Sequence, residues 1–328
     1  MSETLPPIPA HGLPVAARAP GKCIVFGEHG VVHGTPELLF ALDLETQVFV
    51  QPAKETRLNG DVGAARSNGY FARALEAMWA GGSPVEVRSV SRIPRAAGLG
   101  SSAAFVAALT AALGAATGGI DRATLAERSF EIERGAQGVG SPGDTTAVVG
   151  GGFLTVNGPD GAPLWTVRDG DRHWDVRRVT DPGWTWVVAH SGIPRSTADA
   201  VRAVGERLAR PDGPSVLDRF RRVATDGISA VERADRAATA ELMGENQRLL
   251  REVGVSHPRL EALLRAGAPA AEGAKLTGAG AGGSIVALPR PGKEVELVRR
   301  LARAGGLAFA VRPVPDGARL LTASDPRG

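Results

Sequence analysis

The sequence predicts a globular protein that mixes helices with strands and divides into two compact parts. Its 328 residues exceed the usual size of a single hydrophobic core. Hydrophobic residues make up 43% of the chain and charged residues 22%, which is ordinary for a folded protein and far from a disordered one. The polar stretch RDGDRHWDVRRVTDPG (168–183) separates two regions of strand and helix patterns, so we place a domain boundary near it.

Strand patterns come first in the N-terminal region. The stretch VAARAPGKCIVFGEH (15–29) is rich in strand-forming residues and is broken by Pro20 and Gly21. Hydrophobic residues alternate in LFALDLETQVFVQP (39–52) and in PVEVRSVSRIP (84–94). This alternation predicts two further strands, the second of which ends at Pro94.

Helix patterns follow these strands. The apolar stretch SAAFVAALTAALGAATGG (102–119) has high helix propensity and ends in a glycine pair, a common helix C-terminal signal. A second helix is predicted over 121–136, with Asp121 as its N-cap. The stretch FLTVNGPDGAPLWTV (153–167) predicts a hairpin, and the polar stretch 168–183 then interrupts the pattern.

The C-terminal region begins with the apolar strand WTWVVAH (184–190). A helical pattern continues from there to about residue 267. The end of the region predicts a strand, a helix and a last strand, at SIVALP (284–289), 292–304 and FAVRPV (309–314).

Composition argues against nucleic-acid and membrane partners. Thirty-eight basic residues face 35 acidic ones, and the two signs interleave, as in RFRRVATDGISAVERADRAATAEL (219–242), which predicts solvated helix faces rather than a phosphate-binding stripe. No segment approaches the roughly 20 apolar residues that span a bilayer. The single cysteine, Cys23, excludes an internal disulfide, and MSETLPPIPAHGLP (1–14) predicts a mobile tail without a signal pattern. We therefore expect a cytoplasmic protein.

The stretch IPRAAGLGSSAAFV (93–106) places glycines and serines where an apolar helix begins. Backbone N–H groups at a helix N-terminus favour an anion, and glycines allow its close approach, so the stretch can bind phosphate. Two interpretations stay open: Ser101 and Ser102 cap the helix, or they leave a hydroxyl for Mg²⁺. The stretch also matches a dinucleotide-binding pattern, as does KLTGAGAGGSIVAL (275–288), but neither lies in the required βαβ unit.

Three further stretches complete a family pattern: APGKCIVFGEHGVVHG (19–34), IERGAQGVGSPGDTTAVVGGG (132–152) and SGIPRSTADAV (191–201). Together with the two glycine-rich stretches, they closely resemble the GHMP kinase superfamily and, within it, the mevalonate kinases of archaeal type. GLGSSAA marks the superfamily, whereas GEHGVVHG, QGxxSPxDT and PRST favour the mevalonate kinases. The likeness covers most of the chain from about 18 to 315.

The resemblance implies a two-domain α+β fold, the GHMP kinase fold. Residues 15–180 would form an N-terminal domain like the second domain of ribosomal protein S5, after a mobile tail over 1–14. Residues 181–328 would form a ferredoxin-like C-terminal domain. ATP and the substrate would lie in the cleft between the domains. Family members often form dimers, and on that ground alone the resemblance suggests a homodimer.

The resemblance also assigns site residues. Asp144 matches the catalytic carboxylate, Lys22 matches the lysine beside it, and Ser102 and Glu133 match the Mg²⁺ ligands. The family's substrate contacts fall on Lys22, Glu28, His29, Asp144 and Thr197. The residues that would wrap the phosphates of ATP are Pro94, Arg95, Ala96, Ala97, Gly98, Leu99, Gly100, Ser101, Ser102, Ala103 and Ala104. The loop that supports this phosphate site carries Gly278, Gly280, Gly282 and Gly283.

The chemistry of phosphoryl transfer needs these residue types. The protein must align a hydroxyl with the γ-phosphate of ATP and neutralise growing charge. Asp144 would take the proton of the alcohol, and Lys22 would keep Asp144 ionised and lower the pKa of the alcohol. Alone, Glu133 and Lys22 would be taken for surface charges and Asp144 for a helix N-cap. Their joint occurrence at the family's spacing favours a kinase that phosphorylates the primary hydroxyl of mevalonate, using ATP and Mg²⁺.

Two alternative functions stay open. The same chemistry could act on another small hydroxy acid, a sugar or phosphomevalonate. A catalytically silent sensor that binds ATP or a sugar is the second alternative, and the complete set of metal ligands and base argues against it.

Two positions depart from the family pattern. After GEHGVVHGTP the family usually continues with small apolar residues, whereas Glu37, Leu38, Leu39 and Phe40 stand here. Arg95 lies in the phosphate-binding stretch, where small or neutral residues are commoner. The first departure lies near the expected substrate wall and bears on substrate choice.

Overall fold

A computed structural model describes residues 5–138, 140–159, 161–194, 197–322 and 325. Within these ranges the chain forms two sheets, each packed against helices, which confirms the α+β class. The larger sheet has the order β12-β1-β2-β5-β7-β6, and a further strand, β4, pairs with β2 and with β3. Its strands are β1 (Val15–Phe26), β2 (Glu37–Pro52), β3 (Arg57–Leu58), β4 (Val85–Ser91), β5 (Phe153–Val156), β6 (Trp165–Asp169), β7 (Arg172–Val179) and β12 (Arg319–Leu320).

Helices of the N-terminal region pack on this sheet. The Ala-rich helix α3 is buried along most of its length, because its small side chains let the sheet and the neighbouring helices approach closely. Asp121 caps α4 as predicted, accepting a hydrogen bond from the backbone of Thr124. The helices are α1 (Val62–Ser67), α2 (Gly69–Met78), α3 (Ser101–Ala116), α4 (Arg122–Gln137) and α5 (Gly143–Gly150), with a 3₁₀ turn at Gly30–His33.

A bulge in β1 brings that strand against the turn before α3. The register with β2 shifts between Pro20 and Lys22, where the sequence predicts a break. A Cβ atom on Gly21 would lie 2.8 Å from the carbonyl oxygen of Leu99, so only glycine permits this approach. The backbone N–H of Lys22 donates to the same oxygen at 2.9 Å. The strand is thereby fixed to the turn at Lys22.

The predicted hairpin over 153–167 is wrong. β5 and β6 do not pair with each other; both pair with β7, which lies between them. The strand β7 comes from the polar stretch 168–183, where Trp174 and Val176 point inward while charged neighbours stay more exposed. The alternation is hard to detect in the sequence because arginines are charged, although their aliphatic stems can be half-buried on a strand. A strand that is rich in arginine is therefore easily taken for a loop.

The smaller sheet has the strand order β11-β8-β10-β9, and all its pairs are antiparallel. Read along the chain, it is a β-α-β-β-α-β arrangement, which confirms the ferredoxin-like prediction. Strand β9 is absent from the sequence-based prediction. The elements are β8 (Trp186–His190), α6 (Thr197–Leu208), α7 (Gly213–Glu232), α8 (Arg236–Glu252), α9 (Pro258–Gly267), β9 (Ala271–Thr277), β10 (Ser284–Pro289), α10 (Glu294–Arg303) and β11 (Leu307–Val311).

Both ends of the described chain contact the N-terminal region. Ile8 is buried and forms a bridge with Ile120, so this part of the 1–14 segment is held against the protein. At the other end, β12 pairs with β1 and returns the chain to the larger sheet. The domain limits 15–180 and 181–328 stay a prediction. Among the described residues, no helix is long and apolar enough to cross a membrane.

Candidate active site

Lys22 and Asp144 form an ion pair beside the turn before α3. Lys22 Nζ lies 2.7 Å from Asp144 Oδ1. The lysine side chain is 1% exposed, whereas the aspartate side chain is 36% exposed. Gly100 makes room for the lysine, since a Cβ atom there would lie 2.7 Å from Lys22 Cγ. Asp144 lies in the first turn of α5, where the helix dipole favours a carboxylate.

Ser102 and Glu133 meet across the interface between α3 and α4. Ser102 Oγ donates to Glu133 Oε1 at 2.7 Å, and Gln137 Nε2 donates to the same oxygen at 2.9 Å. Gly100, in a left-handed conformation, is the N-cap of α3, and no side chain caps this helix start, so the serine-capping interpretation is wrong. Burial and the nearby Asp144 carboxylate raise the pKa of Glu133 to about 7.

A cavity of about 680 Å³, the wide cavity, opens beside this turn. Three residues of the predicted phosphate-binding stretch, Leu99, Ala103 and Ala104, do not line this cavity and are buried in the core. Polar side chains on the cavity wall belong to Asn59, Asn68, Tyr70 and Ser89. The residues of the predicted phosphate-binding stretch that line the cavity are Pro94, Arg95, Ala96, Ala97, Gly98, Gly100, Ser101 and Ser102.

A second cavity of about 90 Å³, the narrow cavity, is also lined by Asp144. Asp144 and Gln137 line both cavities, so the carboxylate stands where the two spaces meet. Charged and polar side chains share the wall of the narrow cavity with apolar ones. They include Lys22, Glu28, His29, Glu37, Glu133, Arg134 and Asp144.

Glu28 and His29 connect the two sheets. Lys275 Nζ donates to Glu28 Oε1, and both side chains are at most 1% exposed. Burial raises the pKa of Glu28, although the charge of Lys275 acts in the opposite direction. His29 adopts a left-handed backbone conformation with φ of 63°, and its Nε2 lies 3.0 Å from the carbonyl oxygen of Ala279. The predicted substrate-contacting pair is therefore anchored to the C-terminal region.

The glycine loop between β9 and β10 (278–283) packs behind the wide cavity. Ser284, directly after the loop, donates through Oγ to the carbonyl oxygen of Ala97 at 2.7 Å. A Cβ atom on Gly280 would lie 2.3 Å from the carbonyl oxygen of Val255, and one on Gly282 would lie 2.8 Å from that of Ile193. Gly278 lines the narrow cavity. The residue that follows the loop, Ser284, thus contacts the predicted phosphate-binding turn.

Thr197 begins α6, and its side chain lies outside the part of the chain that the structure describes. The structure brings together Lys22, Asp144, Ser102 and Glu133 around the junction of the two cavities. Their roles stay predictions.

Sequence reasoning did not assign three polar residues of this site: Glu37, Gln137 and Lys275. Each of them carries a detectable signal in the sequence. Glu37 departs from the small apolar residues of the family pattern, and Lys275 is one of only four lysines in the chain. Gln137 is the first residue of the QGxxSPxDT motif, which favours the mevalonate kinases.

The residues present fit Mg²⁺ held jointly with phosphates. Among the described residues, no group of three His, Cys, Asp or Glu side chains could hold a metal ion alone. Ser102 Oγ and Glu133 Oε1 supply two adjacent oxygens beside the predicted phosphate-binding turn. Mg²⁺ prefers oxygen and is usually bound by one or two protein ligands, with substrate phosphates and water completing its shell.

Comparisons with known proteins identify the family of the chain. Family models described as GHMP kinases N terminal domain and GHMP kinases C terminal match residues 69–152 and 228–306. A mevalonate kinase of Methanothermobacter thermautotrophicus is 32% identical over 285 residues, which cover 83% of this chain and 89% of that protein.

Two solved structures share the fold. The mevalonate kinase of L. major in complex with R-mevalonate superposes with a TM-score of 0.77 at 22% identity, over 97% of this chain and 100% of that one. The galactokinase of Lactococcus lactis with galactose superposes with a TM-score of 0.74 at 16% identity, over 94% and 95% of the two chains. Because the scores are similar, the fold alone does not select the substrate.

Proposed function

Because this chain belongs to the mevalonate kinase family of the GHMP kinases, we propose that it transfers the γ-phosphoryl group of ATP to the primary hydroxyl of mevalonate. The products would be 5-phosphomevalonate and ADP. The observation that supports this most is the Lys22–Asp144 ion pair at the junction of the two cavities. A phosphate donor in one cavity and an alcohol in the other would meet at Asp144.

Asp144 is the proposed proton acceptor. As the alcohol oxygen bonds to the γ-phosphorus and the bond from that phosphorus to ADP breaks, the hydroxyl proton passes to the Asp144 carboxylate. Lys22 donates to the same carboxylate and places a positive charge beside the reacting oxygen. Because Lys22 is almost fully buried, its charge is poorly screened by water and acts strongly on both groups.

The wide cavity is the proposed ATP site. Backbone N–H groups at the start of α3 would bind the phosphates, helped by the positive end of the helix dipole. Ser102 and Glu133 would hold Mg²⁺, and the bound ion neutralises charge on the phosphates. With its pKa near 7, Glu133 becomes fully ionised only when a cation or a higher pH favours its carboxylate.

The narrow cavity is the proposed acceptor site. Lys22 and Asp144 face the reacting hydroxyl there, and Glu28, His29 and Thr197 are carried over as further substrate contacts from the family pattern. The contacts of Glu28 with Lys275 and of His29 with Ala279 hold both side chains in place before substrate arrives. We also expect the homodimer that the resemblance suggests, which sedimentation of the purified protein would test.

A panel of alcohols tests the proposal. The purified protein would be incubated with ATP, Mg²⁺ and either mevalonate, phosphomevalonate, galactose or homoserine, with ADP release and ³¹P NMR of the product as readouts. We expect a new phosphomonoester on C5 of mevalonate and the highest kcat/KM for that acceptor. No ADP release at millimolar mevalonate, or a higher kcat/KM for another acceptor, would refute the substrate assignment.

An Asp144→Asn variant separates an enzyme from a sensor. A sensor that only binds ATP or a sugar should keep its binding when this carboxylate becomes an amide. An enzyme should keep nucleotide affinity and lose nearly all turnover. Turnover of the wild type against that of the variant distinguishes the two, and calorimetry checks that the variant still binds ATP.

A further inference from the structure

A carboxyl group that sequence reasoning did not assign lies in the wall of the narrow cavity. Glu37 is the first residue of β2, it is 2% exposed, and it lines the cavity together with Lys22 and Asp144. Among the described residues, its Oε2 has no hydrogen-bond partner. Burying a polar atom without a partner costs free energy, so a group held this way needs an explanation.

Gly143 makes the space that this carboxyl group occupies. A Cβ atom at position 143 would lie 2.1 Å from Glu37 Oε2 and 3.1 Å from its Cδ. Any other residue directly before Asp144 would therefore displace the glutamate. The carboxyl group on β2 thus packs directly against the glycine on α5.

The charges around Glu37 favour a neutral partner. The two nearby lysines are already paired with other carboxylates, Lys22 with Asp144 and Lys275 with Glu28. Burial, and then the Asp144 carboxylate, raise the pKa of Glu37 well above its usual range. This shift favours the protonated carboxyl group, which has one O–H to donate and one carbonyl oxygen to accept. A substrate hydroxyl can accept from the O–H of Glu37 and donate to its carbonyl oxygen. A substrate carboxylate would instead be repelled by the negative charge of Asp144.

We propose that Glu37 determines acceptor specificity by hydrogen-bonding a second hydroxyl of the substrate, the tertiary hydroxyl on C3 of mevalonate. The inference rests on the proposed function, in which the primary hydroxyl on C5 lies at Asp144. A small apolar residue at position 37, as in the family pattern, makes no such bond. The recognition of the C3 hydroxyl is thus a property that Glu37 gives to this chain.

The test compares mevalonate with its 3-deoxy analogue, 5-hydroxy-3-methylpentanoate. We expect the wild type to prefer mevalonate in kcat/KM by about 100-fold, because a site built for a hydroxyl rejects the analogue that lacks it. In Glu37→Ala the ratio should fall at least about tenfold, through loss of activity on mevalonate alone. Glu37→Gln should keep most of the ratio, since an amide of the same shape still donates and accepts.

Asp43→Ala is the matched control, because Asp43 is an exposed acid on the same strand, and it should leave the ratio unchanged. Calorimetric affinities of both acceptors without ATP give a second readout that does not need turnover. An equal ratio in the wild type and Glu37→Ala, with mevalonate still phosphorylated, would overturn this inference alone. A wild type inactive on mevalonate would overturn the proposed function and the inference together.

Discussion

Two lysine–carboxylate pairs stand within the same site, and they differ in the exposure of the acid. Lys22 and Lys275 are both essentially buried. The partner of Lys22, Asp144, is 36% exposed and borders both cavities, whereas the partner of Lys275, Glu28, is 1% exposed. We therefore expect the same two functional groups to serve different purposes in the two pairs. Lys22 and Asp144, the open pair, can exchange a proton with a ligand. Lys275 and Glu28, the buried pair, join the N-terminal region to the C-terminal sheet.

Desolvation explains why the buried pair is poorly suited to catalysis. Burial raises the pKa of Glu28 although Lys275 is in contact with it. In a fully buried pair, the cost of removing both charges from water can exceed their attraction. Removing one partner then leaves an uncompensated group in the core. The open pair avoids most of this cost on the aspartate side, because water still reaches Asp144.

The largest effect should come from the acid of the open pair. We expect Asp144→Asn to lower kcat by about 10³-fold, because the amide cannot accept the proton of the alcohol. Its melting temperature should fall only modestly, because the amide oxygen can still accept from the buried Lys22 ammonium. Turnover and thermal melts would be measured on the same preparation. A variant that keeps a tenth of wild-type kcat would contradict the assigned role.

Breaking the buried pair should mainly affect stability. We expect Lys275→Met to lower the free energy of unfolding by about 3 kcal/mol, because Glu28 is left without its cation in the core. Denaturant unfolding measures this loss. Adding Glu28→Gln should restore part of it, since the amide carries no charge. If Lys275→Met unfolded like the wild type, the buried pair would have no structural role.

Replacing the lysine of the open pair should affect turnover more than stability. We expect Lys22→Met to lower kcat by about 10²-fold while changing the free energy of unfolding less than Lys275→Met does, because Asp144 can recover hydration. Steady-state kinetics and denaturant unfolding of the two methionine variants form a matched comparison. Equal stability losses in both would remove the distinction between the pairs.

Glu133 should make the metal-free protein sensitive to pH. Its pKa is raised from the ordinary value of 4.5 to about 7, chiefly by burial. The folded protein thus holds this proton more tightly than the unfolded chain, and the stability gained below pH 4.5 is lost as the pH rises through about 7. Melting temperatures in chelator should fall over this range, and less so in Glu133→Gln.

Metal binding should follow the reverse trend, because only the carboxylate form of Glu133 binds a cation well. We expect the apparent Mg²⁺ affinity to weaken by about tenfold for each pH unit below the Glu133 pKa. Titration of Mg²⁺ in the presence of ATP, at several pH values, measures this. A pH-independent affinity would exclude Glu133 as a ligand.

The smallest effect should come from the contact between the glycine loop and the phosphate-binding turn. Ser284→Ala removes the hydrogen bond to Ala97, which should cost about 1 kcal/mol of stability. We also expect KM for ATP to rise a few-fold, with kcat little changed, because the turn is less firmly held. A tenfold loss of kcat would mean that the loop does more than support the turn.

The sequence predicts the open pair far better than the buried one. Lys22 and Asp144 lie in stretches whose residue order resembles a family, so their meeting could be expected without coordinates. Lys275 and Glu28 lie 247 residues apart, and their contact depends on how the two sheets pack. No local pattern encodes that packing. Glu37 was noticed as a departure, but its burial against Gly143 became visible only in three dimensions.

In the fold, too, some features are predictable from the sequence and others depend on three-dimensional packing. Elements with regular hydrophobic patterns, such as β2 and α4, follow the predicted ranges within a few residues. β7 was hidden because arginines occupy its more exposed positions, and the pairing order β5-β7-β6 is a long-range property. Periodicity reports which face of an element is buried, and strand order depends on neighbours that periodicity does not identify.

The central claim is that Asp144, held by Lys22, accepts the proton of the alcohol at the meeting point of two cavities. A crystal structure of the protein with a non-hydrolysable ATP analogue, Mg²⁺ and mevalonate tests it most directly. We expect the primary hydroxyl to lie within about 3 Å of an Asp144 carboxylate oxygen and in line with the γ-phosphorus. A mevalonate whose primary hydroxyl lies beyond hydrogen-bonding distance of Asp144, with the phosphates away from residues 94–104, would contradict it.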